Sequence, residues 1–346
     1  ITPANVAAFT IQGTCSENGR TVTLGAPLSA TATCSGGNFS LTVDATSLAQ
    51  GTFWFDLYID DAAGNSSGAV QRNFVKDTIA PTLAITSPAA NTWINRFTEA
   101  AITVGGTCSA ADNGRTITLS GAANGTTNCS AGTWSVVLDF TAAAQGNLTL
   151  LADMSDAAGT SATQASLALR KDTVNPVLSL TAPNGGETWY TGIAQNFTYT
   201  FTDALSGVDA GALIRFDLSY DGGTTPGVLT MTAPNTGSWS WTPPATTSNQ
   251  AIATVVAYDI AGNTGWDSSN AVFTIATPVP PSVPLGLAAT SSTSQVALTW
   301  AGSTGTPAPT YEVLRSTTSG GTYSVIASAS ATNYTDTSVV NGTTYY

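Results

Sequence analysis

Apolar and polar residues alternate with a period of two in short stretches of the chain. The alternation is clear in Thr21–Leu24, Phe53–Ile59, Ser135–Phe140 and Ala253–Tyr258. Gly, Asn and Asp residues interrupt it at intervals of roughly 8–12 residues, as turns between strands do. No amphipathic window longer than two helical turns is present. The pattern therefore predicts an all-β chain of short antiparallel strands without crossover helices.

An internal repeat divides the chain. Segment 13–24 returns as segment 106–119, with the same Gly-Thr-Cys-Ser opening and the same Asn-Gly-Arg-Thr run before its end. Asp61-Ala-Ala-Gly64 returns as Asp156-Ala-Ala-Gly159, 95 positions later, which is the size of one β-sandwich. A more distant third copy carries Gly237-Ser-Trp-Ser240 and Asp259-Ile-Ala-Gly-Asn263 and has no cysteine. The proline-rich segment 277–284 then introduces a fourth part of different character.

The amino-acid composition limits the kinds of binding partner and active site that the chain can have. Of 346 residues, 42% are hydrophobic, which is enough for several small cores and argues against disorder. The net charge of −12 and the scarcity of Lys and Arg argue against a nucleic-acid partner. The chain contains no histidine, which excludes Ser-His triads, Cys-His pairs and histidine-ligated zinc. No apolar run approaches the roughly 18 residues of a membrane span. Carboxylate pairs of the glycosidase type are not excluded by these counts.

Two family resemblances rest on short motifs. The first three repeats resemble bacterial immunoglobulin-like (Ig-like) domains of surface adhesins, through the Asp-x-Ala-Gly-Asn loop and the Lys-Asp-Thr-x-x-Pro junction at 76–81 and 171–176. The last part resembles a fibronectin type III domain. Trp300 matches the core tryptophan of that family, Tyr311 its central-strand tyrosine, and Tyr345 its tyrosine corner. The resemblances imply tandem antiparallel β-sandwiches, and neither identifies a ligand.

Repeats and resemblances together predict four domains. The first three are Ig-like and cover residues 1–79, 80–174 and 175–277, and the fibronectin-like domain covers 278–346. The first domain is expected to be incomplete at its start, because it largely lacks a counterpart of residues 81–101. The fourth is expected to be incomplete at its end, since the resemblance implies a further strand after Tyr345. We therefore expect the polypeptide to continue in both directions.

Four cysteines occupy equivalent places in two repeats. Cys15 and Cys34 are 19 positions apart, and Cys108 and Cys129 are 21 apart. The economical interpretation is one disulfide within each repeat, which would stabilise its domain by about 3 kcal/mol. Such disulfides indicate the periplasm, the cell surface or the medium. The alternative is a set of buried, reduced thiols. The sequence contains no Cys-x-x-Cys motif, so it gives no indication of redox catalysis.

Aspartates recur at the turns and junctions of the repeats. The resemblance implies calcium ions where these loops meet the linkers, with carboxylates and loop carbonyls as ligands. Asp60 and Asp153 would add oxygens. The simpler alternative is that each Asp caps its own turn, since no Asp-x-Asp-x-Asp loop occurs. The candidate calcium ligands are Asp61, Asp77, Asp156, Asp172 and Asp259.

Tryptophans offer a second type of candidate site. Phe39, Trp134 and Trp239 recur at one strand position, which predicts a place in the sandwich cores. A second group lies outside this register, and its members are candidates for a sugar-binding platform. The candidates are Trp93, Trp189 and Trp266.

The sequence contains no nucleophile–base pair, phosphate loop or zinc cluster, so we expect no enzymatic activity. The favoured interpretation is an extracellular bacterial surface protein, structural or adhesive, forming part of a stalk, fibre or surface layer. Its partners would be further copies of itself, a host or neighbouring cell, or a glycan surface. The alternative is a set of spacer or carbohydrate-binding domains from a secreted hydrolase.

Overall fold

A computed structural model of the chain describes residues 1–209, 211–225 and 229–346. Within these ranges the only helical segment is a single 3-10 turn, Ala110–Asp112, and the regular structure is otherwise β. The prediction of an all-β chain of antiparallel sandwiches is confirmed. By their contacts the residues form two compact units. The first comprises Ile1–Val174 with Ile260–Asn263, and the second comprises Asn175–Asp259 with Thr264–Tyr346.

Sandwich 1, in the first unit, has a two-stranded sheet of β1 and β4 facing a sheet of order β3-β2-β5-β6. All pairings are antiparallel. Alternate side chains of the two sheets meet in a core around Phe55, Leu24 and Leu41. The strands are β1 (Phe9–Thr14), β2 (Thr21–Leu24), β3 (Ala30–Thr33), β4 (Asn38–Val43), β5 (Gly51–Ile59) and β6 (Val70–Lys76).

Sandwich 2, also in the first unit, repeats this plan with two additional strands. Its sheets have the orders β12-β9-β7 and β11-β10-β13-β14-β8, and the short β8 runs parallel to β14. The core contains Trp134, Phe140 and Leu150 among its fully or nearly buried members. The strands are β7 (Leu83–Ser87), β8 (Trp93–Ile94), β9 (Ile102–Cys108), β10 (Thr116–Gly121), β11 (Gly125–Asn128), β12 (Thr133–Leu138), β13 (Gly146–Met154) and β14 (Ala165–Lys171).

Sandwich 3, in the second unit, has the sheets β15-β17-β20 and β16-β23-β21-β18-β19, and β22 also pairs with β21. Its core is rich in aromatic residues, with Phe197 stacked on Trp239 at 5.5 Å and edge-on to Trp189 at 4.9 Å. The strands are β15 (Val177–Ala182), β16 (Thr188–Tyr190), β17 (Gln195–Thr202), β18 (Leu213–Ser219), β19 (Leu229–Pro234), β20 (Ser238–Trp241), β21 (Ser248–Tyr258), β22 (Thr264–Ser268) and β23 (Phe273–Ala276).

Sandwich 4, in the second unit, consists of the sheets β24-β25-β28 and β26-β27. Trp300 and Tyr311 pack edge to face at 5.3 Å, as the fibronectin resemblance implies for its core pair. The Tyr345 hydroxyl accepts a hydrogen bond from the Val340 amide at 3.1 Å, the arrangement of a tyrosine corner. The strands are β24 (Leu285–Ser292), β25 (Gln295–Ala301), β26 (Tyr311–Arg315), β27 (Ser324–Ala329) and β28 (Asn333–Asp336).

A buried lysine explains the Lys-Asp-Thr motif. Lys76 ends β6 and Lys171 ends β14, and both side chains turn inward. Lys76 Nζ donates to the carbonyl oxygens of residues 45, 46 and 48, at 2.9, 2.9 and 2.6 Å. Lys171 Nζ donates to those of residues 140, 141 and 143, at 2.8, 3.0 and 3.0 Å, and also pairs with Glu99 at 2.8 Å. In sandwiches 1 and 2 the ammonium group therefore caps a loop whose carbonyl oxygens form no hydrogen bonds with a neighbouring strand.

Candidate functional site

Both expected disulfides are present. Cys15–Cys34 has an S–S distance of 2.02 Å and Cys108–Cys129 one of 2.07 Å, and the Cα atoms are 6.0 Å apart in each. In each sandwich the disulfide joins the end of one sheet's strand (β1 or β9) to the segment that follows a strand of the facing sheet (β3 or β11). All four cysteines are used in these bonds. The disulfides therefore connect the two sheets of sandwiches 1 and 2.

The Asp61 loop of sandwich 1 is a self-contained turn. Asp61 Oδ1 accepts the amides of Ala63 and Asn65 at 2.8 Å each, and Oδ2 accepts the Asn65 side-chain amide at 2.9 Å. The Asn65 hydrogen bonds hold the pKa of the Asp61 carboxyl below its usual value. Both carboxylate oxygens are thus engaged within the loop, which favours the turn-capping interpretation at Asp61.

The equivalent Asp156 of sandwich 2 is 5% exposed and has a different environment. Its Oδ1 accepts the Thr160 amide at 2.7 Å, while its buried Oδ2 has no hydrogen-bond partner among the described residues. The nearby Asp153 accepts the Gln164 side-chain amide at 3.1 and 2.9 Å. Two loops of nearly identical sequence therefore differ in how completely their aspartate is satisfied.

The junction aspartates cap the turns that follow β6 and β14. Asp77 Oδ1 accepts the amide of Ile79 at 3.3 Å, and Asp172 Oδ1 accepts that of Val174 at 2.9 Å. Asp172 is fully buried, and its backbone carbonyl accepts the side-chain amide of Asn263 at 2.9 Å within the first unit. The motif residue Asp172 is therefore fixed through both its side chain and its backbone.

In the second unit the structure places Asp203, which the sequence analysis did not identify, close to the candidate Asp259. Asp259 is 4% exposed, and one of its carboxylate oxygens lies within 4.8 Å of a carboxylate oxygen of Asp203. Asp203 follows β17, and its Oδ1 accepts the amides of Leu205 at 3.0 Å and Gly207 at 2.6 Å. Two hard carboxylate oxygens at this separation are the kind of ligand pair that a divalent cation such as calcium takes. Asp203 belongs to none of the repeated motifs, so the repeat gave no signal for it.

The aromatic candidates fall into different environments. Trp189 lies in the core of sandwich 3 with 5% exposure, so its proposed place on a sugar platform is wrong. Trp93 is half-buried, with the Arg170 guanidinium 5.5 Å from its ring centroid. Trp266, on β22, is 68% exposed and remains a candidate. Trp54 on β5 is 61% exposed and was not identified from the sequence, because its position between half-buried Phe53 and buried Phe55 resembles an ordinary strand.

Comparisons with known proteins find matches among solved structures at low identity and low TM-score. No protein-family model matches the chain, and no curated protein matches it. Among solved structures, a tetra-tandem repeat from the extending region of a large adhesion protein is 19% identical, with a TM-score of 0.29 over 99% of this chain and 90% of that one. A structure described for host cell surface retention of a 1.5-MDa bacterial ice-binding adhesin is 19% identical, with a TM-score of 0.38 over 80% and 94%.

The fibronectin(III)-like modules of CbhA from Clostridium thermocellum are 18% identical, with a TM-score of 0.33 over 57% of this chain and 93% of that one. These are the kinds of domain that the sequence motifs resemble. At such identities and TM-scores they carry no conclusion about what this chain binds. In the parts of the chain that the structure describes, no helix has the length and apolarity to cross a membrane.

Proposed function

We propose that the chain is part of a structural or adhesive protein of the bacterial cell surface, a segment of a stalk, fibre or surface layer. The observation that carries the proposal is the disulfide repeated at the same place in sandwiches 1 and 2. Disulfides persist in oxidising compartments and indicate a location beyond the cytoplasm. Consecutive sandwiches, two of which have a disulfide between their sheets, suit a protein that carries mechanical load or spans a distance.

The surface chemistry supports the same proposal. Only 9% of residues are charged, so close packing of neighbouring copies would desolvate few ions. Absence of histidine from the sequence removes the most frequent general base of enzyme sites. We accordingly propose a non-enzymatic role, with further copies of the chain or a neighbouring cell surface as partners.

The alternative, spacer domains of a secreted hydrolase, is distinguished by what else the native polypeptide contains. Intact mass and protein sequencing of the native protein, read outward from both ends of this chain, is the test. Further sandwich repeats together with an anchor or assembly domain are the expected result. A histidine-bearing catalytic domain in the same polypeptide would overturn the structural assignment and make these sandwiches the spacer of an enzyme.

We further propose calcium as an ion bound by the Asp259 loop. Asp203 and Asp259 supply two hard carboxylate ligands, and backbone carbonyls and water would complete the six to eight oxygens that calcium takes. The carboxylate of Asp61, by contrast, is occupied by its own loop. Calcium binding is therefore expected at the third Asp-x-Ala-Gly loop and not at the first.

Native-state hydrogen exchange of β21 with and without a chelator tests the calcium proposal. Free calcium at about 100 times its dissociation constant would stabilise sandwich 3 by about 2.7 kcal/mol, which the chelator or Asp259→Asn would remove. Asp61→Asn is the matched control, because it alters the same loop motif in sandwich 1 and is expected to leave the calcium effect intact. Exchange in β21 that ignores both calcium and the chelator would show that no ion binds there.

Carbohydrate binding is the second candidate function, favoured by the exposed indole of Trp266. A planar ring open to solvent on a strand offers a stacking surface for a sugar ring. We expect quenching or enhancement of tryptophan fluorescence by a bound polysaccharide to disappear in Trp266→Ala and to persist in Trp54→Ala. No fluorescence response to any of a panel of bacterial and host polysaccharides would remove this candidate.

A further inference from the structure

The outer face of the larger sheet of sandwich 3 carries two aromatic side chains on adjacent strands. In β18 and β21 alternate residues form the core, so the residues between them face outward. The strand registers bring the outward residues into rows across the sheet. Arg215 lies opposite Val256, and Val256 lies opposite Trp266 of β22. Tyr258 lies opposite Thr264 in the next row, one diagonal step from the indole.

Both aromatic rings are open to solvent. Trp266 is 68% exposed and Tyr258 is 46% exposed. Leu213, which lies two residues before Arg215 on the outward side of β18, is also exposed. Diagonal neighbours across an antiparallel strand pair are roughly 7–8 Å apart. Tyr258 and Trp266 are therefore placed to contact neighbouring units of one extended ligand.

The fold does not require these large side chains. Sandwich 2 forms the equivalent sheet and has an equivalent Asp-x-Ala-Gly loop after β13. Counted from the aspartate of that loop, Ser155 has the position of Tyr258. Thr118 on β10 has the position of Arg215, since each pairs with the third residue before its aspartate. Sandwich 2 thus folds with a small hydroxyl residue at both places.

The charge on this outer face is balanced. Arg215 Nε and Asp217 Oδ2 form a salt bridge at 3.0 Å. These two residues are the only charged ones at the outward positions of β18, β21 and β22. The Arg215 side chain is 44% exposed, and none of the hydrogen bonds among the described residues uses its terminal nitrogens. The face therefore offers hydrogen-bond donors to a ligand while carrying no net charge.

We propose that this face binds an uncharged glycan chain, an inference that rests on the proposed carbohydrate binding at Trp266. The C–H groups on the apolar side of a sugar ring stack on the negative faces of the indole and phenol rings. The terminal nitrogens of Arg215 donate to sugar hydroxyl oxygens, and the Thr232 and Thr264 hydroxyls lie in the same two rows. An acidic sugar gains little attraction, because Asp217 already compensates the guanidinium charge.

The width of the face favours a chain over a single sugar. Arg215 and Trp266 lie on either side of β21, so two interstrand spacings, about 10 Å, separate their backbones. An oligosaccharide lying along this row contacts the indole and the guanidinium at once, whereas a monosaccharide contacts fewer of these groups. Affinity is therefore expected to rise with the length of the glycan.

Isothermal titration calorimetry of the 346-residue chain with linear hexasaccharides tests the inference. The neutral probes are the hexasaccharides of glucose, mannose and N-acetylglucosamine, and the anionic probe is that of galacturonic acid. Saturable heat from at least one neutral probe is expected, with a Kd that salt leaves unchanged because salt does not screen an uncharged ligand. The matching monosaccharide should bind at least ~10-fold more weakly. Heat from the galacturonic acid probe alone would overturn the inference, although the chain would still be a carbohydrate binder.

Variants that copy sandwich 2 locate the site. Tyr258→Ser and Arg215→Thr introduce the residues that sandwich 2 has at these places, and hydrogen exchange of β21 checks that the sheet stays folded. Each is expected to weaken binding of the neutral hexasaccharide about tenfold, and Trp266→Ala to weaken it further. Tyr323→Ser is the matched control, because Tyr323 of sandwich 4 is similarly exposed, at 42%. Binding that is lost in Trp266→Ala but unchanged in the other two variants would overturn the inference and leave a site made by the indole alone.

A different result would refute carbohydrate binding altogether. Absence of heat with every glycan, neutral or anionic, would overturn both the inference and the candidate function at Trp266. Trp, Tyr and Arg are also the side chains that dominate protein interfaces. Self-association of the chain that Trp266→Ala abolishes, without heat from any glycan, would therefore make a second copy of the chain the occupant of this face.

Discussion

Replacing Lys171 by Met is expected to destabilise sandwich 2 strongly. The substitution keeps the aliphatic stem but removes the ammonium group, which is the donor to three loop carbonyls and the partner of Glu99. Removing one partner of a buried charge pair costs about 3–5 kcal/mol. The Glu99 side chain is 22% exposed, so water relieves part of its loss and the lower end, about 3 kcal/mol, is expected.

Lys76→Met is the internal comparison. Lys76 caps the equivalent loop of sandwich 1 by donating to three carbonyls. Among the described residues it forms no salt bridge with a carboxylate. Its loss removes this donor from three neutral carbonyls, of which that of Ala45 still accepts the Leu48 amide at 3.2 Å, and is expected to cost about 2 kcal/mol. A second comparison is Lys171→Met with Glu99→Leu, which removes both charges and should be less destabilising than Lys171→Met alone.

Native-state hydrogen exchange by mass spectrometry is the appropriate assay, because unfolding of several domains in one chain is not a two-state process. Amides of β13 report sandwich 2 and those of β5 report sandwich 1. A loss of 3 kcal/mol accelerates the slowest β13 exchange about 150-fold. An acceleration of less than about tenfold in Lys171→Met, or a larger effect from Lys76→Met, would refute the assignment of the buried ion pair.

Three further predictions concern single features. Replacing Cys108 and Cys129 by Ser should lower the stability of sandwich 2 by about 3 kcal/mol, seen as faster β13 exchange without effect on β5. Burial raises the pKa of Asp336, but hydrogen bonds from Ser338 and Arg315 outweigh it and hold that pKa below its usual value. Stability from the ionised group is therefore present above about pH 4 and lost as the pH falls through the lowered pKa. NMR signals of β28 should show this loss of stability at low pH, and the pH dependence should disappear in Asp336→Asn. Gly106→Ala should displace β7 and expose its amides to exchange, because the Ala84 carbonyl occupies the space of the new methyl group.

Period-two alternation and the internal repeat carried most of the fold prediction. Phe53–Ile59 lies within β5 and Thr21–Leu24 coincides with β2, because alternating burial leaves a direct trace in the sequence. Ser135–Phe140 was placed too late by two residues, since β12 begins at Thr133, directly after the turn. The cysteine pairs were equally accessible, as two repeats with equivalent spacing leave little choice of partners.

Properties that depend on non-local contacts were not accessible in this way. Trp189 stands near a domain start and beside turn residues, yet it lies in a core that includes Phe273 of β23, which comes 84 positions later in the sequence. The Lys of Lys-Asp-Thr appeared as a linker residue, because its three acceptors lie about 30 positions upstream. Asp203 and Asp259 meet through folding alone. The alternation in the sequence indicates on which face of a strand a residue lies. It does not indicate which residues from distant parts of the sequence contact that residue.

The location and assembly of the native protein decide whether it is a structural or adhesive protein of the cell surface. Immunogold electron microscopy on unpermeabilised cells, with antibodies raised against residues 80–174, measures both at once. A surface role predicts label on the cell exterior, on fibres or on a surface layer, and loss of that label after surface proteolysis. Native protein found only as a free monomer in the medium, with no label on cells or polymers, would contradict it.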